Sequence, residues 1–370
     1  MSAEYSEELA HALRVVHAAS VLTKSVLRSL QNSVSAETKA DDSPVTIADF
    51  AAQAIIISAL HAVYPADAFL GEESADQLRE NEGLAERVWQ LVQQAQTSGV
   101  QHVQQRLNSH TGLVFPATKE EMLDAIDRGA TTQSKGRVWV MDPVDGTATF
   151  MTGNQYAVCL CLLVDGVQQV AAIGCPNLRL NPKNPVNVKV HEELVDEAGF
   201  GVLLSAIRGE GAYVRSIFSD RLGEPSKLDV RSNDGGKDDQ SLDFIESTLG
   251  KTSLSQAEHK NVAEALGAKW PGTVIWSQQM KYVALTLGAT DVMLRLPLDK
   301  SRYTHIWDHA GGQLLFTEVG GIIKDIDGRS IDFAQGRRIL GNKNYGMIAT
   351  QPGLCEKVNE AVKAVLARRA

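Results

Sequence analysis

The segment Trp139-Val-Met-Asp142-Pro-Val-Asp145-Gly-Thr147 constrains this chain more than any other stretch, because a hydrophobic run ends on two carboxylates set around a proline. Pro143 has a fixed φ and no N–H, so the pattern predicts a tight turn directly after a strand Val138 to Met141, with Asp142 and Asp145 converging. Gly146 removes a side chain where a phosphate would approach the backbone. Thr147 offers a hydroxyl and an N–H at the expected start of a helix, where anions are held well. Such a segment can hold a divalent cation and a phosphate together. Asp-Pro and Asp-Gly are also ordinary turn dipeptides, so taken alone the segment leaves a plain surface turn open.

Two further acidic segments bear on that choice. In Ala68-Phe-Leu-Gly-Glu72-Glu-Ser74, Phe69 and Leu70 read as a short buried strand and Gly71 as a break that presents Glu72 and Glu73. Adjacent residues of a strand point to opposite faces, so one of the two acids is expected as a ligand. In Ile306-Trp-Asp308-His-Ala-Gly-Gly312, Asp308 reads as the first turn of an amphipathic helix, which the helix dipole favours even without a metal. The Trp-Asp pair does not mark a propeller blade, since no period of about 40 residues recurs.

These three segments, in this order, resemble the lithium-sensitive, magnesium-dependent phosphatase superfamily that includes inositol monophosphatase and fructose-1,6-bisphosphatase. The match is to its Asp-Pro-hydrophobic-Asp-Gly-Thr signature. Within it, Asp41-Asp-Ser-Pro-Val-Thr-Ile-Ala-Asp49-Phe-Ala-Ala-Gln53, the run Tyr156 to Gly166 and Ile173-Gly-Cys-Pro-Asn177 look most like the 3′(2′),5′-bisphosphate nucleotidases. The resemblance runs from about Asp41 to about Ile348 and is weaker near 80–118 and 179–200.

The resemblance implies a layered αβαβα sandwich, of mixed α+β and α/β character, with the active site between two lobes. It implies two or three Mg²⁺ ions bound by Glu72, Asp142, Asp145, Asp308 and the Val144 carbonyl. Asp49 and Thr147 would orient and deprotonate a water for in-line attack, and the N–H groups of Gly146 and Thr147 would hold the phosphate. The nucleotidase branch further implies that Lys281 and Arg295 contact the phosphate that is not cleaved. The expected reaction converts 3′-phosphoadenosine 5′-phosphate to AMP and phosphate, in support of sulfate assimilation, with 3′-phosphoadenosine 5′-phosphosulfate left open as a second substrate. Lithium and sodium inhibition are implied in the same way. Two departures bear on substrate choice: Gln278 stands where this branch usually has Ser, and Gly250-Lys-Thr-Ser253 replaces a histidine-containing segment. Gln278 and Ser253 are the expected substrate contacts at those places. An inositol polyphosphate or sugar-phosphate phosphatase is the nearest alternative, and a catalytically silent sensor of metal or nucleotide is the alternative of another class.

The residues themselves agree with magnesium. Hard carboxylate and carbonyl oxygens suit Mg²⁺, whereas Zn²⁺ recruits His or Cys, and the nine histidines form no HExxH pattern. A cluster of four or five carboxylates repels itself without cations, so the bare site is expected to be partly protonated or mobile.

Composition permits this reading. With 370 residues, 44% hydrophobic, and 30 glycines, the chain can bury a large core in two lobes. A net charge of −9 argues against a binder of duplex nucleic acid, which needs a basic face, and leaves a small anionic substrate open. No apolar run reaches the roughly 18 residues that span a bilayer, and the N-terminus lacks the basic and apolar regions of a secretory signal. The chain is therefore expected to be a cytoplasmic monomer with no membrane partner. Cys159, Cys161, Cys175 and Cys355 show no CxxC spacing and read as reduced core residues.

Periodicity predicts a scaffold helix from about Glu7 to Gln31, a second helix carrying Asp49 near its start, a glutamine-rich helix from Gly83 to Asn108 broken near Gly99, and a short helix Lys119 to Asp127. Apolar strands at 156–165, 167–174, 201–207 and 211–215 read as an antiparallel meander. Beyond Ser232 to Gln240, helices Ala257 to Leu266, Gln278 to Leu287 and His309 to Val319 alternate with strands Gly272 to Trp276, Asp291 to Leu296 and Gly321 to Ile326. That polar stretch is the expected boundary between an α+β lobe, 1–240, carrying most metal ligands, and an α/β lobe, 241–370, carrying Asp308 and the substrate contacts.

Overall fold

The computed structural model describes residues 4–30, 37–38, 44–45, 47–97, 112–183, 185, 188–231, 242–247 and 253–369. Asp41 to Ser43, residues 98–111, the expected boundary Ser232 to Gln240 and Gly250 to Thr252 lie outside them.

Helix α1 (Ser6–Leu30) buries a stripe of small and branched residues, including Ala12, Val15, Val16 and Ala19. A two-stranded ribbon, β1 (Glu37–Thr38) and β2 (Pro44–Val45), precedes α2 (Ile47–Val63). Helix α2 is buried on every side from Ala48 to Ile57 and apolar there except at Asp49 and Gln53, and such a helix must be enclosed. It packs against α1, α4 (Glu82–Thr97), α5 (Lys119–Arg128) and β4 (Arg137–Asp145). Strand β3 (Ala68–Gly71) and the short α3 (Asp76–Glu80) fill the interval before α4.

After β4 come α6 (Thr147–Met151), β5 (Ala157–Val164), β6 (Val167–Cys175), β7 (Val202–Ile207), β8 (Gly211–Ser216) and β9 (Ser226–Lys227). They form a seven-stranded sheet in the order β3-β4-β5-β6-β7-β8-β9. Only β3 and β4 are parallel; the rest is the expected meander. The β5–β6 turn uses Asp165 at φ 51° and Gly166 at φ 78°, the left-handed pair that a tight hairpin demands.

The second half contributes β10 (Phe244–Glu246), α7 (Gln256–Ala265), β11 (Thr273–Val274), α8 (Gln278–Thr286), β12 (Val292–Arg295), β13 (Tyr303–His305), α9 (Ala310–Glu318), β14 (Ile322–Lys324), β15 (Arg338–Leu340), β16 (Met347–Thr350) and α10 (Cys355–Leu366). A five-stranded sheet runs β11-β10-β12-β16-β14, in which β10 is parallel to β11 and β12. Strands β13 and β15 pair as a separate ribbon.

Helices α8 and α9 lie between the sheets. One apolar cluster joins Cys159, Ile173 and Leu204 of the large sheet through Met280 and Phe316 to Met293 of the small one. Helices α7 and α10 cover the far face of the small sheet, where Phe244 and Ile348 meet Val262 and Val362. Helices α1 and α2 cover the far face of the large sheet. The result is the αβαβα sandwich expected from the sequence. Cys159, Cys161 and Cys175 are buried thiols, whereas Cys355 is only half-buried at the start of α10 and does not belong to the core. Among the described residues, no helix is long and apolar enough to cross a membrane.

Candidate active site

The acidic residues converge through a bulge rather than the expected turn. Strand β4 does not stop at Met141 but continues to Asp145, and its pairing with β5 shifts between Asp142↔Cys159 and Asp145↔Ala157. Three steps on β4 thus oppose two on β5. In a regular strand, residues three apart point to opposite faces, and the extra residue brings Asp142 and Asp145 onto the same one. Pro143 fits at this position because the disrupted ladder does not call on its missing N–H. The Asp142 carboxylate accepts the Val144 N–H at 3.2 Å, which fixes the bulge.

Asp142, Asp145 and Asp308 each offer a carboxylate oxygen within 4.8 Å of the others. Asp308 lies in the turn before α9, not in its first turn, because His309 is the N-cap and the helix starts at Ala310. That helix is buried through Phe316 rather than amphipathic, being clamped between two sheets. Glu72 follows the last β3–β4 pair, Gly71↔Met141, so the parallel register carries it alongside Asp142. Glu73 turns away: it is buried, and its backbone N–H is accepted by the Gln53 amide oxygen at 3.0 Å. Asp49 sits fully buried in the first turn of α2, one turn before Gln53 on the same helix face.

The electrostatics match this crowding. Burial raises the Asp142 carboxyl well above the ordinary range, and the charges of Glu72, Asp145, Asp308 and Asp49 raise it further. Burial and Asp308 push Asp145 up to about 6, against the pull of the Ser277 hydroxyl, the Gln279 N–H and Lys281. Burial raises Asp308, offset by Arg295, the Thr304 hydroxyl, the His305 N–H and Lys281. Among the described residues, no lysine or arginine forms an ion pair with these three aspartates. A donor set of close, under-compensated carboxylates with a carbonyl nearby fits a hard divalent cation.

Helix α8 supplies the opposite wall. Ser277 is its N-cap, accepting the Met280 N–H at 3.1 Å while donating to the Asp145 carboxylate. The Gln279 N–H also reaches Asp145 at 2.6 Å, so a free helix N-terminus stabilises that charge. Lys281, one turn on, is 3% exposed and donates to Ser247 at 2.9 Å and to the Trp276 carbonyl at 3.2 Å. Burial and the neighbouring Arg295 lower its ammonium to about 8. Ser247, Trp276 and Arg295 stand at the carboxyl ends of the parallel strands β10, β11 and β12, where open α/β sheets hold ligands.

The remaining expected residues divide. Gly146 adopts φ 96°, and a Cβ there would meet Thr149 Oγ1 at 2.9 Å and Ser277 Cβ at 3.0 Å. Thr147 opens α6 and donates its hydroxyl to the Val144 carbonyl at 3.2 Å. Arg295 donates to the Gln278 amide oxygen at 2.5 Å and to Thr304 at 3.1 Å. Gln278 is thereby occupied within the protein, its amide nitrogen turned to Met293 Sδ. Ser253 is exposed and lines a shallow open cleft beside Arg295, with Leu254, Pro297 and Tyr303.

Four residues near the site were not singled out from the sequence. Ser277 and Gln279 hold Asp145, and their signal was a serine just before a helix. Gln53 crosslinks α2 to Glu73 and to the Ile126 carbonyl, filling the space left by Gly71 and Gly129. Arg337 donates to the Gly71 and Gly129 carbonyls at 2.7 and 2.9 Å and stacks on Trp307, bracing the Glu72 side against the Asp308 side. Nothing local in the sequence marks Gln53 or Arg337.

Comparison with known proteins bears on this geometry. The inositol monophosphatase family matches residues 4–91 and 77–363. The chain belongs to the inositol monophosphatase family. It is 38% identical to a 3′(2′),5′-bisphosphate nucleotidase of Emericella nidulans over 98% of this chain and 99% of that protein. Identity is again 38% to a 3′(2′),5′-bisphosphate nucleotidase of Schizosaccharomyces pombe, covering 100% and 98%. Among solved structures of this family, inositol monophosphatase-II from Staphylococcus aureus superposes with a TM-score of 0.54 at 16% identity, over 96% of this chain and 92% of that one. The Thermotoga maritima IMPase gives 0.56 at 15%, over 98% and 100%. At such identities the likeness speaks for the fold.

Proposed function

We propose that this chain is a magnesium-dependent phosphomonoesterase that removes the 3′-phosphate of 3′-phosphoadenosine 5′-phosphate, giving AMP and phosphate. The observation that carries the reading is the pairing of two unlike regions in one crevice. An acidic cluster suited to cations sits against Lys281 and Arg295, which supply fixed positive charge for a second phosphate. A site for a monophosphate alone has no use for buried Lys281 and half-buried Arg295 together. The full-length likeness to bisphosphate nucleotidases supports the same substrate.

Asp142, Asp145, Asp308, Glu72 and the Val144 carbonyl would hold the metal. Magnesium, when bound, supplies positive charge toward the phosphoryl group and acidifies water. Asp49, buried on the same side as Asp142, would take the water's proton, with Thr147 orienting that water through its hydroxyl. The Gly146 and Thr147 N–H groups would receive the phosphoryl oxygens at the mouth of α6. Arg295, held by Gln278 and Thr304, is pre-set to grip the remaining phosphate with its fork of donors. The rest of the nucleotide would lie over the open cleft lined by Ser253 and Tyr303. On this reading the chain divides near 240, with Asp49, Glu72, Asp142 and Asp145 on one lobe and Lys281, Arg295 and Asp308 on the other.

The test is Mg²⁺-dependent phosphate release from 3′-phosphoadenosine 5′-phosphate, inositol 1,4-bisphosphate, inositol 1-phosphate and fructose 1,6-bisphosphate, each with and without lithium. A clear preference for the nucleotide is expected. Release from the nucleotide no faster than from inositol 1-phosphate would discard the nucleotide pocket and keep the family.

A further inference from the structure

Behind Asp308 the side chains form a hydrogen-bonded chain whose direction can be worked out. The Gln313 amide nitrogen donates to the Tyr282 hydroxyl at 3.0 Å, and that hydroxyl lies 2.9 Å from His309 Nδ1. The Thr304 hydroxyl lies 2.8 Å from His309 Nε2, 3.3 Å from Asp308 Oδ2 and 3.1 Å from Arg295 Nη2. Arg295 can only donate, and a neutral imidazole has one donor and one acceptor. Both ring nitrogens of His309 face hydroxyls, and neither faces a carboxylate.

Placing the imidazole proton on Nε2 satisfies every group. Tyr282 then donates to Nδ1, His309 and Arg295 both donate to the Thr304 oxygen, and the Thr304 hydroxyl donates to Asp308. With Asp308 ionised, as it would be when holding a cation, the other tautomer turns the Thr304 hydroxyl toward His309 and leaves its oxygen lone pair to lone pair against Asp308. It also leaves the Tyr282 hydroxyl only the Met347 sulfur, at 3.7 Å. The first arrangement is the one that leaves no hydrogen misplaced.

We infer that Thr304 is a positioning residue that joins Arg295 to Asp308 through one hydroxyl, so that an anionic group seated on Arg295 is registered at the carboxylate cluster. This rests on the reading that Arg295 holds the phosphate that is not cleaved. Neither partner can move without turning Thr304, because the Tyr282–His309 pair fixes its third bond. A second phosphate on the substrate would therefore improve the geometry of Asp308 and act on turnover, not only on binding.

The experiment compares Thr304→Val, which keeps the shape and removes the hydroxyl, with Thr304→Ser, which keeps the hydroxyl. Turnover is measured on 3′-phosphoadenosine 5′-phosphate and on adenosine 3′-phosphate, which lacks the second phosphate, and Mg²⁺ affinity is measured calorimetrically without substrate. In Thr304→Val, kcat on the bisphosphate is expected to fall about tenfold, with less than about threefold change on the monophosphate, and Mg²⁺ binding to weaken by at least about threefold. Thr304→Ser restores both. Tyr282→Phe releases His309 to take the other tautomer and gives the same split in weaker form, which keeps the test open if Thr304→Val does not fold. Equal slowing on both substrates, or unchanged Mg²⁺ affinity, would overturn the inference. Failure of the wild type to hydrolyse the bisphosphate would instead sink the nucleotidase reading, and the Mg²⁺ titration would still judge the Thr304–Asp308 link.

Discussion

Stripping divalent cations from the protein and changing the pH gives the sharpest test of the acidic cluster. An ordinary aspartate titrates near ~4. Asp145 is pushed up to about 6. Its proton is thus held roughly 100-fold more tightly in the folded chain, on the order of 3 kcal/mol. The raised carboxyl favours folding while it is protonated, below the unfolded value near ~4, and that contribution is lost as the pH rises through about 6. Asp142 and Asp308 are raised in the same direction. Buried His17 and His309 are lowered and act oppositely, favouring the fold as the pH rises through their unfolded value near ~6.5. Comparing metal-free with metal-saturated protein removes the histidines, which are common to both.

A cation must displace the proton on Asp145, so its apparent affinity carries that proton's titration. From pH 7.5 to 5.0, a group titrating at about 6 weakens binding by about tenfold, and Asp142 adds to this. Calorimetric titration of Mg²⁺ into EDTA-treated protein, in buffers of different ionisation enthalpy, reads both the affinity and the protons released. At least one proton per binding event is expected at pH 5.0, and fewer at pH 7.5. An affinity constant to within about twofold across that range would mean that Asp145 is already ionised, and the account of the cluster would be wrong.

Lys281→Met should raise KM for 3′-phosphoadenosine 5′-phosphate by about 10- to 100-fold, the value of a charged hydrogen bond, with little change for adenosine 3′-phosphate. Equal effects on the two substrates would remove Lys281 from the second-phosphate site. Gln53→Leu removes the bonds that Gln53 makes to the Glu73 N–H and to the Glu73 and Ile126 carbonyls, and should cost about 2–4 kcal/mol in urea unfolding. A loss under ~0.5 kcal/mol would show that the crosslink contributes nothing net. Gly146→Ala forces a Cβ into φ 96° against Thr149 and Ser277, and kcat should drop at least about tenfold while far-ultraviolet circular dichroism is unchanged. Wild-type turnover in that variant would separate the Gly146 backbone from the chemistry.

The parts of the fold that could be read from the sequence are those whose cause is local. The meander from Ala157 to Ser216 follows from largely continuous apolar runs broken by turns such as Asp165-Gly166, and α1 ends within a residue of the periodic pattern. The Pro143 segment was misread because a proline after an apolar run signals a turn equally well. What decides for a bulge is the partner strand β5, 12 residues beyond Asp145, which no local rule sees. Asp308 was placed one turn too deep because a helix beginning at Ala310 takes His309, not the acid, as its cap. Gln53 and Arg337 were invisible for the same kind of reason. Their partners, Glu73 and Gly71, are 20 and 266 residues away, and only the packed structure brings them together.

Those distant contacts explain why so repulsive a cluster can persist. Each acid is held by an element with its own reason to be where it is: Asp142 and Asp145 by the β4 bulge, Glu72 by the parallel register of β3, Asp49 by an enclosed helix, Asp308 by a turn clamped between sheets. None of these constraints relaxes when the charges repel, so the unfavourable energy appears as raised carboxyl titration rather than as separation. The partial compensation comes from the N-terminus of α8 and from Lys281 and Arg295, all contributed by the second half of the chain. A cation held as proposed would find its ligands already placed and would need to displace protons, not to gather side chains. The same logic makes Ser277 and Thr304 more consequential than their size suggests, because each fixes one carboxylate of the cluster from outside it.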